Sequence, residues 1–184
     1  SSISLWFKYD TATNREGKNT VLLQQNGQGR TFLQFTSGNK YATYVNQQNV
    51  YSEKTFDPNL WQHVMLAYNK DTKKVTFYIN GEKDSEQSAG NAVVDSLTSL
   101  LIGRHKNEVT DPLSMRGLVD EIRVYDKVLT AEEAKAVYES KAGAMLFPQL
   151  QETLKEAKEL DASGSLDTEA EEAKAVSYTH LRAH

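Results

Sequence analysis

Three tyrosines and four side-chain amides crowd one stretch of the chain: Tyr41, Tyr44 and Tyr51, with Asn46, Gln47, Gln48 and Asn49 among them. Flat aromatic faces cover the apolar side of a pyranose, while amides and charges satisfy its hydroxyls. Arg104 and His105, on a later loop, would add a cation and a ring nitrogen to such a surface. A second reading puts the same tyrosines in a sheet core with their hydroxyls at its rim, because Tyr41 and Tyr44 are three residues apart and fall on opposite faces of a strand.

Bond-breaking chemistry finds less material. Hydrolysis of a glycoside with retention needs two carboxyl groups about 5–5.5 Å apart, flanking one bond. The nearest group is Asp120-Glu121 with Asp126. Asp120 and Glu121 are adjacent, so they point to opposite faces of a strand, and Asp126 lies at its end. The sequence has no nucleophile elbow and no Gly-rich phosphate loop. It has no cysteine, which excludes disulfides, thiolate catalysis and cysteine-ligated zinc. His63 sits within a strand pattern and reads as a structural histidine, and Trp6 and Trp61 read as core. These readings describe a domain that binds without catalysing.

The hydrophobic periodicity supplies the scaffold. From Trp61, Val64, Leu66 and Tyr68 alternate with His63, Met65 and Ala67, and after the polar break Asn69–Lys73 the alternation resumes with Val75, Phe77 and Ile79. A period of two around a turn-forming break predicts a β-hairpin. Asn80-Gly81 then tolerates the positive φ of a type I′ turn and predicts a third antiparallel strand over 83–87. The middle strand carries bulky groups on both faces and belongs near the centre of its sheet. Upstream, Ile3, Leu5, Phe7 and Tyr9 mark a first strand, and 21–25, 31–35 and 41–45 follow between Gly/Asn turns. Downstream, Ala92-Val93-Val94 reads as a short edge strand, and 105–114 as the longest irregular loop. Short strands at intervals of about ten residues predict a sandwich or jelly roll. Thr130 with Glu133 forms a capping box, and Ala134, Val137 and Tyr138 give the apolar face of a helix packed on that sandwich.

The residues of the hairpin carry a resemblance. Trp61-Gln62-His63-Val64, Ala67-Tyr68 and Phe77-Tyr78-Ile79-Asn80-Gly81 resemble the middle of the laminin-G-like, concanavalin-A-like lectin/glucanase superfamily. Leu100-Leu101-Ile102-Gly103-Arg104 resembles its strand after the hairpin, and the run from Gly117 to Asp126 its closing strand. Leu129-Thr130-Ala131-Glu132-Glu133 is similar to the short helix that ends such domains. The resemblance implies an all-β, antiparallel two-sheet jelly-roll sandwich over 1–141, without the family's usual first strand, and a short closing helix. Glycosidases of this fold use an alternation such as Glu-x-Asp-x-x-Glu, which the chain lacks. In calcium-binding relatives the Asp opening the closing strand is often a ligand of a structural calcium ion, so the resemblance makes Asp120 a metal candidate. Calcium takes six to eight oxygens and one Asp supplies at most two, so acceptance of loop amides is an equal alternative for Asp120.

Composition shifts near Lys141. Residues 142–175 read as an acidic helical appendage: Pro148 suits a first turn, and Leu150, Leu154, Ala157 and Leu160 make one stripe. Thr168 and Glu171 form a second capping box. Over 150–175 eight acidic residues face three basic ones. The segment resembles the start of the FIVAR-type helical repeats of Gram-positive surface proteins, with a plain acidic linker as the alternative. Residues 176–184 resemble one translated frame of a sequencing adaptor, so the pair His180 and His184 carries no metal reading.

The chain has 184 residues, 39% of them hydrophobic, and a formal charge of −4. No basic stripe invites nucleic acid, and no run reaches the ~20 apolar residues of a membrane span. The chain starts inside a strand pattern without an initiator Met or signal peptide, and so reads as a fragment. The expectation is a non-catalytic carbohydrate-binding or adhesion module of a larger bacterial protein, secreted or wall-attached, with a glycan or glycoprotein partner and a glycoside hydrolase as the parent. The alternative is a structural spacer or protein-interaction domain without sugar affinity.

Overall fold

A computed structural model describes residues 1–11, 20–25, 31–45, 48–89, 100–104 and 113–163. In chain order the strands are β1 (Ser2–Tyr9), β2 (Thr20–Gln25), β3 (Thr31–Phe35), β4 (Lys40–Val45), β5 (Gln48–Thr55), β6 (Trp61–Asn69), β7 (Lys74–Ile79), β8 (Glu82–Ser88), β9 (Leu100–Ile102) and β10 (Gly117–Tyr125), followed by helix α1 (Ala131–Ala162). They form two antiparallel five-stranded sheets, ordered β10-β1-β6-β7-β8 and β5-β4-β3-β2-β9. This is the expected jelly-roll sandwich. The edge strand expected at Ala92–Val94 and the second capping box at Thr168 lie outside the described residues.

Alternation decides what each sheet buries. Ile3, Leu5, Phe7 and Tyr9 on β1 enter the space between the sheets, where they meet Leu33, Phe35, Tyr41, Phe56, Val64 and Phe77. The rings of Phe7, Tyr9, Phe35, Tyr41 and Phe56 lie 4.7–6.0 Å apart in mainly tilted and edge-on pairs, the arrangement their quadrupoles favour. The hairpin β6-β7 runs in unbroken register from Val64 opposite Ile79 to Asn69 opposite Lys74. At its far end Asn80 (φ 50) and Gly81 (φ 82) supply the two left-handed residues of the next turn.

The closing strand does not alternate cleanly. Val119 and Ile122, three apart, both pack against the inter-sheet core. Glu121 sits between them at φ 50, and the pairing with β1 slips between Ser4 and Trp6. This is a β-bulge, in which two residues of β10 oppose one of β1. The sequence expectation that Asp120 and Glu121 simply face opposite ways missed it, because a bulge at a non-glycine residue leaves no signal in the hydrophobic pattern.

The outer face of the first sheet is covered by the start of α1. Met65, Ala67, Tyr78, Leu129 and Ala134 form a second apolar cluster, with Tyr125 and Val137 at its margin. The capping box forms as expected: Glu133 N–H donates to Thr130 Oγ1 (3.3 Å) and Thr130 N–H to Glu133 Oε2 (2.9 Å). The Ser2 hydroxyl ties the approach to the helix, donating to Lys127 O and accepting from Leu129 N–H, each at 3.0 Å.

Helix α1 runs for 32 residues, through Pro148. The expectation of a short closing helix followed by a new one starting near Pro148 is therefore corrected. Proline removes one backbone donor from a helix interior, and the neighbouring turns outweigh that loss here. The chain divides into two compact units, Ser1–Tyr138 and Glu139–His184. In the second, Leu150 and Ala157 are half-buried and Leu154 and Leu160 exposed.

Candidate functional site

The polar stretch around Tyr51 contains an eight-residue strand, β5, at the edge of the second sheet. Its signal was short: only Val50 and Ser52 are buried, and every other residue of the strand is exposed. Residues 49 and 51 therefore face outward, on the side of the sheet away from the core.

Register builds that outer face in two rows. Tyr51 pairs with Ala42, Ala42 with Gln34, and Gln34 with Val21. In the next row Asn49 pairs with Tyr44, beside the backbone of Thr31 and then Gln24. Directly opposed residues share a face, so phenol rings and amides stand together. Gln34 Nε2 donates to Asn49 Oδ1 at 2.7 Å, which fixes one of the two flip states of the Asn49 amide. Tyr51 is 42% exposed, Tyr44 is half-buried, and Gln34 and Gln24 are buried behind them. Tyr51 and Asn49 stand at the exposed end of the rows, Tyr44 lies next, and Gln34 and Gln24 are at their back.

The other expected site residues separate. Tyr41 is fully buried in the inter-sheet core, so its ring has no face for a ligand, and its place in the sugar surface is corrected. Its hydroxyl donates to Gln62 Oε1 (3.3 Å), which also accepts Asp57 N–H (3.0 Å), while Gln62 Nε2 donates to Asp57 O (2.6 Å). Burial drives the Tyr41 phenol well above its ordinary range, and a group held neutral in this way acts as a core hydrogen bonder. Arg104 is exposed just past β9, at the opposite edge of the sheet from Tyr51. Four strand spacings put it roughly 19 Å away. The structure therefore brings Tyr44 and Tyr51 together and leaves Arg104 apart. Asn46 and His105 lie outside the described residues.

Gln34, Asn49 and Gln24 complete the face. Asn49 stood in the expected stretch, whereas Gln34, a lone amide in an apolar strand, and Gln24, at the end of β2, did not. Only cross-strand register brings them to the tyrosines.

Asp120 is exposed, and its Oδ1 accepts the N–H of Glu121 at 2.7 Å. Glu121 in turn accepts from Arg123 at Nη2 (2.7 Å) and Nε (3.2 Å). Among the described residues no three His, Asp or Glu side chains converge as a cation site. This acceptance of a backbone amide is the kind of role that the alternative reading gives Asp120, the amide here lying within β10 itself.

His63 lies under the helix, 1% exposed, with ring centroids 5.4 Å from Trp6 and 5.9 Å from Tyr138. Burial, aided by the charge of Arg123, lowers its pKa to about 4. Its Nδ1 is buried without a hydrogen-bond partner among the described residues. It is a core residue, as the sequence implies. Trp6 is core, at 1% exposure, whereas Trp61 is only half-buried at the start of β6.

The family model for the concanavalin A-like lectin/glucanases superfamily matches residues 1–135. Among solved structures, the CBM40 of the Ruminococcus gnavus IT-sialidase, bound to α2,3 sialyllactose, is 19% identical with a TM-score of 0.59, over 74% of this chain and 81% of that one. A candidate carbohydrate-binding protein from Bacteroides ovatus is 21% identical with a TM-score of 0.55, over 73% of this chain. The chain spans 40% of that protein's length. The heptameric SAP-like pentraxin of Limulus polyphemus is 14% identical with a TM-score of 0.55, over 74% and 68% of the two chains. No curated protein matches the chain in sequence. No helix among the described residues is long and apolar enough to cross a membrane.

Proposed function

Because the chain belongs to the concanavalin A-like lectin/glucanase superfamily, we propose that its sandwich is a non-catalytic carbohydrate-binding module that holds a larger secreted or wall-attached bacterial protein, a glycoside hydrolase, against its glycan. The observation that carries this reading is the outer face of the second sheet, where Tyr51 and Tyr44 offer ring surface beside the linked amides of Asn49 and Gln34. Sugars need that pairing of flat apolar faces with fixed donors and acceptors. Binding of this kind acts by raising effective concentration at the polymer. The carbohydrate-binding neighbours in the Ruminococcus and Bacteroides proteins support it at the level of fold.

Carboxylate placement supports the non-catalytic half. Asp120 accepts a backbone amide and Glu121 is paired with Arg123, whereas an acid/base pair needs two carboxyl groups free to flank one bond. A glycan array probed with the whole chain and with Tyr51→Ala is the test. Signals that the variant loses carry the proposal, and turnover of any arrayed glycan sinks the non-catalytic half.

The second reading, a spacer or protein-interaction domain, is favoured by one observation: Phe147, Leu154 and Leu160 are exposed along α1, at 59%, 42% and 37%. In that reading 142–175 is a helical spacer, of FIVAR type or plain. A silent array would favour it.

A further inference from the structure

The two rows that make the face are without formal charge. Tyr51, Ala42, Gln34 and Val21 form one row, and Asn49, Tyr44 and Gln24 stand in the other. Recognition of a carboxylate or sulfate calls for a guanidinium fork or an ammonium placed for it. Arg104, the cation the sequence offered, is at the far edge of the sheet. The next charged residues along β4 and β5 are Lys40 and Glu53, of opposite sign. A lone anion on the ligand would gain nothing from that pair and would lose hydration against buried amides.

Resting on the carbohydrate-binding reading, we propose that the ligand is a neutral glycan, held at the β5 end of this face by ring stacking on Tyr51 and hydrogen bonds to the Asn49–Gln34 amides. Amides serve hydroxyls well, since each offers both a donor and an acceptor. Here the Gln34 bond has already fixed the Asn49 amide, so less order is lost when a sugar arrives. The binding is set by stacking and neutral hydrogen bonds, and salt does not screen it.

The test is titration of the whole chain by calorimetry at low and high sodium chloride. The neutral probes are cellohexaose, xylohexaose and N-acetyllactosamine, and the acidic ones are 3′-sialyllactose, oligogalacturonate and a chondroitin sulfate hexamer. The proposal expects binding to at least one neutral probe, with an affinity that salt leaves unchanged. Tyr51→Ala and Asn49→Ala should each weaken it about tenfold. Both positions are exposed on an edge strand, so a melting curve can verify that each variant keeps its fold. Binding confined to acidic probes and abolished by salt would overturn the neutral ligand and leave the carbohydrate-binding reading in place. Neutral binding untouched by either variant would overturn the location. No binding to any probe would overturn the underlying reading itself.

Discussion

Trp6 and Tyr138 stack with ring centroids 5.3 Å apart and planes 21° from parallel, joining β1 to α1 across 132 residues of chain. The contact is part of the cover that the first two turns of the helix put over a sheet face carrying Trp6, Met65 and Tyr78. Truncating a buried aromatic leaves a cavity as well as losing transfer free energy. Tyr138→Ala should cost about 3 kcal/mol in chemical denaturation, against a few tenths for Glu139→Ala one residue on.

The same ring constrains the turn beneath it. A Cβ at Gly81 would stand 2.8 Å from Tyr138 Cδ1, and the residue needs φ 82. Gly81→Ala therefore combines left-handed strain with a clash and should destabilise by about 1–3 kcal/mol. Pairing it with Tyr138→Ala separates the two: the double variant should lose less than the sum of the singles, because the clash is gone and only the strain remains.

His63 makes the junction sensitive to acid. Its folded pKa is held at about 4 against an ordinary 6.5, so between those values the unfolded chain binds the proton and the folded one does not. Stability is then complete above pH 6.5 and falls as pH drops toward 4, with a full loss on the order of 3 kcal/mol. Melting temperatures from pH 7.5 to 5, above the range where carboxylates titrate, should show the decline in the wild type. His63→Leu should flatten it, and an equal slope in both proteins would refute the assignment.

How much of this was legible beforehand depends on which residues carried a local signal. The hairpin, the Asn80-Gly81 turn and the Thr130–Glu133 box each rest on residues within a few positions of one another, and each forms as the sequence implies. The fold class followed from those and from the spacing of the strands. The candidate site was only half legible. Tyr44, Tyr51 and Asn49 stood in one visible stretch, but Tyr41 sank into the core because a three-residue offset inverts its face. Gln34 and Gln24 reached the site through pairing that no sequence window contains, and the bulge at Glu121 arose from a backbone angle that residue types alone do not reveal.

That bulge sets what Asp120 does. Its carboxylate holds the N–H of a residue at positive φ, so Asp120→Ala should cost about 1 kcal/mol while Asp120→Asn, which keeps an acceptor oxygen, should cost less. Calcium chloride at millimolar concentration should leave the melting temperature where EDTA leaves it. A calcium-dependent rise that Asp120→Asn removes would assign the ion to this residue instead.

The strand that carries Tyr51 is held from the other sheet. Asp84 on β8 accepts the backbone N–H groups of Glu53 (2.7 Å) and Lys54 (2.8 Å) on β5, and the Ser85 hydroxyl donates to it at 2.9 Å. Gln87 Nε2 adds a bond to Tyr51 O. A carboxylate thus replaces part of the ladder that an edge strand lacks and stitches the two sheets along one side. Asp84 is half-buried, so the clamp is partly screened, and Asp84→Ala should lose about 1–2 kcal/mol. Asp84→Asn keeps a single acceptor oxygen and should lose part of that. The more telling readout is local: hydrogen exchange at the Glu53 and Lys54 amides should speed up in Asp84→Ala well beyond the change in global stability. If Tyr51 and Asn49 hold a glycan, that loosening of β5 should also weaken binding through ordering entropy, although Asp84 itself touches no sugar. Unchanged exchange at those two amides would mean that the sheets are held together without it.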